Sequence, residues 1–449
     1  MALNSTAGLG RSIAPAPRLI LFVAALAGAG ALLIAIPTWS RFGYSAIAAV
    51  MLFAAIDASM TRGMLDGISA EGGVTRMWKG RAGSVELTLR NPFRSPLELA
   101  IAIPFPPEVS AVLEELRTVL PGAQHSRIAW TCTPLQRGLF AIDRCAIERK
   151  SPMGLWVVRR TLPVQLEIRV YPNLAAERQK APAFFKRGRL GVHGQRQIGK
   201  GREFEKLREY APGDGFDEID WKATARRGHP ITRVFQIERT QEVYIVLDAS
   251  RLTARPAGGD PRESILERNV TATLLLALAA EKQGDLFGLI TFSDRVHDFV
   301  RARNGKVHYS ACRDALYTLQ PRAVAPDFDE LFSFLRLRLR RRALLVILTE
   351  LDDPVIAESF LKNVGLARQH LMLVGVAQPP ETRPVFENPQ VETGGDVYRE
   401  LAGHIRWSKL RMLGKALSSQ GVRFSLLHAD TLGPQLASLY VDLKQRQAL

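Results

Sequence analysis

The 449-residue chain is 47% hydrophobic and 23% charged, which excludes wholesale disorder and leaves room for two or three domains. Its 60 Lys and Arg against 44 Asp and Glu leave a net charge of +16, favouring an anionic neighbour. Three cysteines, Cys132, Cys145 and Cys312, with no CxxC spacing, argue against a disulfide framework or a thiolate zinc site.

The first element is a pair of apolar runs, Leu19 to Ile36 and Phe42 to Ile56, separated by Trp39, Ser40 and Arg41. Their length predicts two transmembrane helices in a tight hairpin; a cleaved leader would not be followed at once by a second apolar run. Arg11 and Arg18 precede the hairpin and Arg62, Arg76, Lys79 and Arg81 follow it, against Arg41 alone in the loop. Both ends are therefore expected in the cytoplasm, the chain being multi-pass in the inner membrane with its soluble domains cytoplasmic. Anionic lipid is then an expected partner for the nearby basic residues.

From about residue 65 the hydrophobic period falls to two. Val85, Leu87 and Leu89 alternate with Glu86, Thr88 and Arg90, and Leu97, Leu99, Ile101 and Ile103 repeat the pattern. Further strands are expected at Arg127–Thr133, Leu139–Glu148, Leu155–Arg160 and Val164–Val170. Short strands parted by Pro and Gly predict a small antiparallel β-sandwich.

A basic connector follows, and then a segment dense in charge and aromatics: Arg202, Glu203, Phe204, Leu207, Arg208, Tyr210, Asp214, Asp220, Trp221 and Arg226. Such residues form partner surfaces, but they equally form surface ion pairs with Trp221 as a packing anchor. Both readings stand at this point.

After Val243–Leu247, apolar strands at 285–292, 342–350, 371–377 and 422–428 alternate with helices at 264–282, 306–319, 329–339, 354–369 and 399–419, with a last helix from Pro434. Continuous apolar strands between helices predict a doubly wound α/β domain with a mostly parallel sheet. The expected domains are a two-helix hairpin over 1–62, the β-sandwich over 65–172, a connector over 173–239 and the α/β domain over 240–449. SDRVHD at 293–298 reads as a polar loop between strands, and the 8 histidines are scattered. The chain has no GxxxxGK[ST] loop, no GxGxxG after a strand, no HExxH and no GxSxG, so nothing positive supports an enzyme.

One constellation remains. Asp248 and Ser250 end the first strand of the α/β domain and Glu350 ends another. In a 3-2-1-4-5-6 sheet those strands are neighbours at the switch point, where ligands gather. Their oxygens are candidate ligands for Mg²⁺; as an alternative, Asp248 and Ser250 simply cap the next turn.

The stretch GKGREFEKLREYAPGD…IDWKATAR, with its following strand ending Asp-x-Ser, closely resembles the bacterial domain-of-unknown-function 58 family. RGLFAIDRCAIERKSPMGLW…VYP, residues 137–172, resembles that family's second signature. The resemblance implies a membrane-anchored protein whose C-terminal domain is von Willebrand factor A-like. It also implies work beside MoxR-type AAA+ ATPases in assembling or activating protein complexes. Four departures mark this chain. Asp217 stands where the family usually has Arg, and Leu252 replaces the second Ser of the metal-ion-dependent adhesion site, with Thr253 one residue off. Pro326 or Asp327 takes the place of its Thr, and Glu350 that of its Asp. The expectation is thus a membrane-tethered scaffold, not an enzyme, with a degenerate Mg²⁺ site. The competing expectation is a metal-dependent hydrolase using Asp248 and Glu350. No nucleic acid is expected, because the basic residues are spread over every domain without a binding motif.

Overall fold

The computed structural model describes residues 10–34, 40–175, 198–211, 215–216, 219–236, 241–258, 263–379, 382–385 and 393–445. The chain divides into two compact units, Met1–Tyr171 and Pro172–Leu449.

In the first unit a short strand, β1 (Arg11–Pro15), leads into helix α1 (Pro17–Ile34), and helix α2 (Ser40–Met60) returns alongside it. Pro17 opens α1 at the position where a missing N–H leaves no bond unmade. The described surface of the two helices is apolar, with Leu21, Phe22, Met51 and Leu52 all exposed. Gly43–Met60 is long and apolar enough to cross a membrane, whereas the apolar stretch described in α1 is the shorter Pro17–Leu26.

Strands β2 (Ser69–Gly72), β3 (Val74–Trp78), β4 (Gly83–Arg90), β5 (Leu97–Ala102), β6 (Val109–Ala111), β7 (Leu116–Leu120), β8 (His125–Pro134), β9 (Gly138–Lys150) and β10 (Trp156–Tyr171) complete this unit. One sheet runs β1-β10-β9-β5-β7 with β3 also on β10, and the other runs β2-β4-β8-β6. The alternation seen in the sequence fills the space between them: Val85, Leu87 and Leu89 are buried with Leu97, Leu99 and Ile101. Two features differ from expectation. β3 pairs with β10 in parallel, Val74 opposite Glu167 through Trp78 opposite Tyr171, so the sandwich is not purely antiparallel. The strands expected at Leu155–Arg160 and Val164–Val170 are one long strand, whose register shifts between Pro163 and Leu166. A bulge is where a sheet admits proline, which has no N–H for the ladder.

The second unit begins with an antiparallel pair, β11 (Ile198–Glu209) and β12 (Ile231–Gln236), with helix α3 (Trp221–Arg227) between them. Its main sheet contains β13 (Glu242–Asp248), β14 (Leu286–Phe292), β15 (Val296–Arg303), β16 (Leu344–Leu348), β17 (Leu371–Gln378) and β18 (Arg423–His428). The order is β15-β14-β13-β16-β17-β18, all parallel except β15. This is the 3-2-1-4-5-6 order, and the switch point lies between β14 and β16 at the end of β13. β15 occupies part of the stretch expected to be a loop.

Helices cover both faces because β13 is apolar on both. Val243, Ile245 and Leu247 pack with α4 (Ile265–Lys282), α5 (Lys306–Leu316) and α9 (Leu432–Gln445). Tyr244 and Val246 pack with α6 (Phe328–Arg338), α7 (Pro354–Asn363) and α8 (Gly394–Ser419). The sequence places a cap at each entry: Ser264 accepts from Glu267 N, Asp327 from Glu330 N and Asp353 from Val355 N.

Candidate functional site

β13 ends on Asp248, hydrogen-bonded in register to both β14 and β16, so its side chain emerges at the switch point. The chain then turns sharply. Asp248 Oδ1 accepts from Ser250 N at 2.7 Å, and Ser250 Oγ accepts from Leu252 N at 3.3 Å, opening the short 3-10 turn Arg251–Ala254. Asp248 Oδ2 accepts from Thr349 Oγ1 at 2.7 Å, across from the end of β16. Thr253, buried, donates to Ser250 O at 3.0 Å.

Glu350 follows Thr349 and is 1% exposed. Its Oε1 accepts from Ala377 N at 3.2 Å, while its buried Oε2 has no hydrogen-bond partner. The nearest cation is Arg255, whose Nη2 lies 3.8 Å from Oε2. That guanidinium is engaged elsewhere: it donates to Asp352 through Nη1 at 2.7 Å and Nη2 at 3.0 Å, and to Leu252 O through Nε at 2.9 Å. A two-pronged carboxylate grip of this kind is among the stronger polar contacts available.

The electrostatics follow from burial. Desolvation pushes the Asp248 carboxyl up, against the hydrogen bonds from Thr349 and Ser250. Desolvation also pushes Glu350 up to about 8, only partly offset by Arg255. Asp352 moves the other way, held below the usual carboxylate range chiefly by its hydrogen bonds to Arg255. Arg255 and Asp352 are therefore the fully charged pair, and Glu350 beside them is favoured in its neutral form.

This donor set does not fit a magnesium ion. Mg²⁺ needs oxygen ligands in near-octahedral array, one or two of them carboxylate. Here both Asp248 oxygens and Ser250 Oγ are turned onto local donors, and the cation beside Glu350 is a guanidinium. Among the described residues no group of three or more His, Cys, Asp or Glu is placed to hold a metal. Asp327, at a position expected to correspond to the missing Thr, caps α6. Sequence reasoning missed Arg255 and Asp352 altogether. The only signal was an Arg seven residues after Asp248 and an Asp two after Glu350, neither of them part of a known pattern.

The segment between β11 and β12 presents a second set of residues. Arg202, Glu203 and Phe204 lie on β11 with side chains outside the described residues, and Asp214 lies wholly outside them. Leu207, Arg208 and Tyr210 are half-buried, and the Tyr210 ring is 6.4 Å from Phe216. Asp220 is a structural residue: its carboxylate accepts from Ala223 N at 3.0 Å and caps α3. Trp221 is 65% exposed and Phe216 75% exposed, so Trp221 is not a packing anchor. Arg226 is exposed in the last turn of α3. GKGREF lies on strand β11, not on a phosphate-cradling turn into a helix.

A further pairing escaped the sequence. Ser293 Oγ and His297 Nε2, four residues apart across the β14–β15 turn, are 2.7 Å apart. Ser293 Oγ donates to Asp294 Oδ1 at 2.7 Å, which makes the imidazole the donor to the hydroxyl. A histidine in that role does not take the serine proton, so the pair is not an activated nucleophile.

A family model described as "Protein of unknown function DUF58" matches residues 206–384. Uncharacterised proteins of Mycobacterium bovis and Mycobacterium tuberculosis are each 27% identical over 186 residues, covering 40% of this chain. The match spans 56% of the length of those relatives. Among solved structures, an aerotolerance-related membrane protein from Bacteroides fragilis is 13% identical with a TM-score of 0.29, covering 45% of this chain and 98% of that one. The conserved hypothetical protein BatB from Bacteroides thetaiotaomicron is 14% identical with a TM-score of 0.30, covering 46% and 98%. At such scores the likeness bears on neither site.

Proposed function

We propose that this chain, whose residues 206–384 belong to the DUF58 family, is a membrane-tethered scaffold whose von Willebrand factor A-like domain binds protein partners, a MoxR-type AAA+ ATPase among them. The observation that carries this reading is the presentation of Phe216 and Trp221. Two large aromatic side chains stand in solvent, and the one at the start of α3, Trp221, follows a backbone tied down by the Asp220 cap and by the bond from Asp220 N to Ile231 O. Exposed aromatics on a fixed backbone are what the energetic centre of an interface is made of. Arg202, Glu203, Phe204, Leu207, Arg208, Tyr210, Asp214 and Arg226 complete the proposed surface.

The division of labour follows the sequence: 1–62 as a membrane hairpin crossing twice, 65–172 as a sandwich spacer, 173–239 as the recognition segment and 240–449 as the α/β domain. Both chain ends are cytoplasmic in this reading, and basic residues beside the hairpin, Arg62 and Arg76 among them, face anionic lipid. A metal-dependent hydrolase at Asp248 and Glu350 is disfavoured by the donor set, and Mg²⁺ has no assigned role.

The test is site-specific photo-crosslinking from position 221 in native membranes, with position 337, an exposed leucine on α6, as the control. The reading expects discrete cross-linked proteins from 221, an AAA+ ATPase among them. Identical patterns from 221 and 337 would remove its basis.

A further inference from the structure

The end of the central sheet opposite the switch point carries a charge that the fold does not answer. α6 ends and β16 begins through RLRLRRR, residues 336–342, with five arginines in seven positions. Arg336, Arg338, Arg340, Arg341 and Arg342 are exposed, while Leu339 between them is buried and anchors the turn. Folding adds a sixth arginine from far along the chain. Gln369 Nε2 donates to Leu339 O at 2.9 Å, Ala343 N to His370 Nδ1 at 3.3 Å and Leu371 N to Ala343 O at 3.0 Å. Those bonds join the turn before β17 to the arginine turn and set Arg368, also exposed, beside it. None of the six guanidiniums has a hydrogen bond or ion pair with another described residue. Arg338 instead lies 5.9 Å from the centroid of the Phe334 ring. Neither 336–343 nor 364–371 contains an Asp or Glu. Clustered like charges repel one another, and an anionic surface relieves that repulsion. Among the arginines stands Leu337, 70% exposed.

We infer that this arginine turn docks on the anionic headgroups of the membrane that holds the chain's own hairpin, with Leu337 entering the boundary between headgroups and acyl chains. The contact is distinct from the basic residues beside the hairpin, and it rests on the membrane tether of the scaffold reading. Two observations favour lipid over another polyanion. An exposed leucine ringed by arginines gains from an acyl boundary, where apolar side chains bury while charged ones stay at headgroup level. A soluble polyanion offers that leucine nothing. The chain also brings the lipid with it, since Gly43–Met60 is long and apolar enough to cross a membrane. A tethered surface is present at a raised effective concentration, so contacts that are weak singly can hold together. The consequence is an orientation. β16 runs from the arginine turn toward Thr349 and Glu350, so seating its amino end on lipid turns the switch point away from the membrane.

The experiment uses the full chain in nanodiscs of phosphatidylcholine, or of an equal mixture of phosphatidylcholine and phosphatidylglycerol. The three native cysteines are buried, so a fluorophore is attached through Leu337→Cys. Val355→Cys, exposed at the start of α7 beyond the other end of β16, is the control. Phosphatidylcholine with a nitroxide on its acyl chain should quench the label at 337 about twofold more in the anionic mixture than in the neutral lipid. The label at 355 should be quenched equally in both. Adding R340Q/R341Q/R342Q, all at exposed positions, should lower quenching at 337 to the neutral-lipid level. R340K/R341K/R342K should retain the gain, because attraction to a charged surface needs the charge and not the guanidinium fork. Equal quenching in the two lipids overturns the inference, as does a gain that survives the glutamine variant. Soluble polyglutamate abolishing the gain at a charge concentration below that of the disc lipid also overturns it, and makes the turn a site for acidic protein. A chain that co-elutes with neither disc removes the tether and this contact together. Co-elution with equal quenching removes the contact alone, and cross-links from position 221 report on the scaffold independently.

Discussion

Asp248 shows how a residue that reads as a ligand can be a structural hub. It receives Ser250 N and the Thr349 hydroxyl, both buried. Asp248→Ala leaves two donors unpaired, each at a cost of about 1–3 kcal/mol. The expected result is loss of hydrogen-exchange protection in β13 and β16, identical in Mg²⁺ and in EDTA. A bound ion in hundredfold excess over its dissociation constant would instead add about 2.7 kcal/mol to the wild type alone. His370 gives a second residue-scale prediction. It is buried, its Nδ1 accepts from Ala343 N at 3.3 Å, and desolvation lowers its pKa below the usual 6.5. Because the unfolded chain binds the proton more readily, stability is full above the unfolded value and falls as pH drops from there toward the folded one. Exchange from the β16–β17 pair, corrected for intrinsic rate, should therefore quicken between pH 7.5 and 5.5. His370→Asn keeps an acceptor without a titrating group, and it should flatten that dependence. A variant as pH-sensitive as the wild type would assign the effect to other groups.

At the scale of elements, the most informative contact is between α2 and the turn after β9. Asp57, buried near the end of α2, accepts from Ser151 Oγ at 2.6 Å, Met153 N at 3.2 Å and Leu155 N at 3.3 Å. Trp156 Nε1 donates to Ala54 O at 2.8 Å beside it. The SPMGLW signature is thus a turn held by a helix carboxylate. Asp57→Ala should release residues 151–156 to fast hydrogen exchange while β4 and β8 stay protected; equal protection in the variant would show that the turn holds itself. Elements with a strong period were legible in the sequence. β4, β5, β13 and β17 lie where alternation or an unbroken apolar run put them, because their burial is one-sided or complete. The missed elements lack that signature. β1 is only RSIAP, and it is a strand because β10 offers it an edge. β15, VHDFVRAR, is an edge strand that is mostly half-exposed, so its polar residues broke the pattern. At the site, Asp248, Ser250 and Glu350 were visible by residue type. Arg255 was not, since a guanidinium filling a carboxylate cluster depends on how the turn folds and has no spacing of its own.

On the scale of the first unit as a whole, pairing and tether together constrain how the hairpin meets a membrane. β1 precedes α1 and pairs with β10 from Arg11 opposite Arg160 to Pro15 opposite Trp156. Ala16 N donates to Leu155 O at 2.8 Å, and the far end of α2 is bound to the same turn through Asp57. The start of α1, the end of α2 and the sandwich therefore share one side of any membrane the helices enter, so the number of crossings is even. In the proposed reading positive charge selects the side: arginines and lysines flank the hairpin at both ends, with Arg41 alone at the far end of α2, the asymmetry expected if the shared side is cytoplasmic. The three native cysteines are buried and free, so single introduced cysteines report access cleanly. Ser12→Cys on β1 and Ser110→Cys on β6 should resist a membrane-impermeant maleimide in intact cells and react in inverted vesicles. Arg41→Cys should do the reverse. Labelling of Ser12→Cys from outside while Ser110→Cys stays protected would require an odd number of crossings, and the β1–β10 pairing could not then exist in the membrane-bound protein.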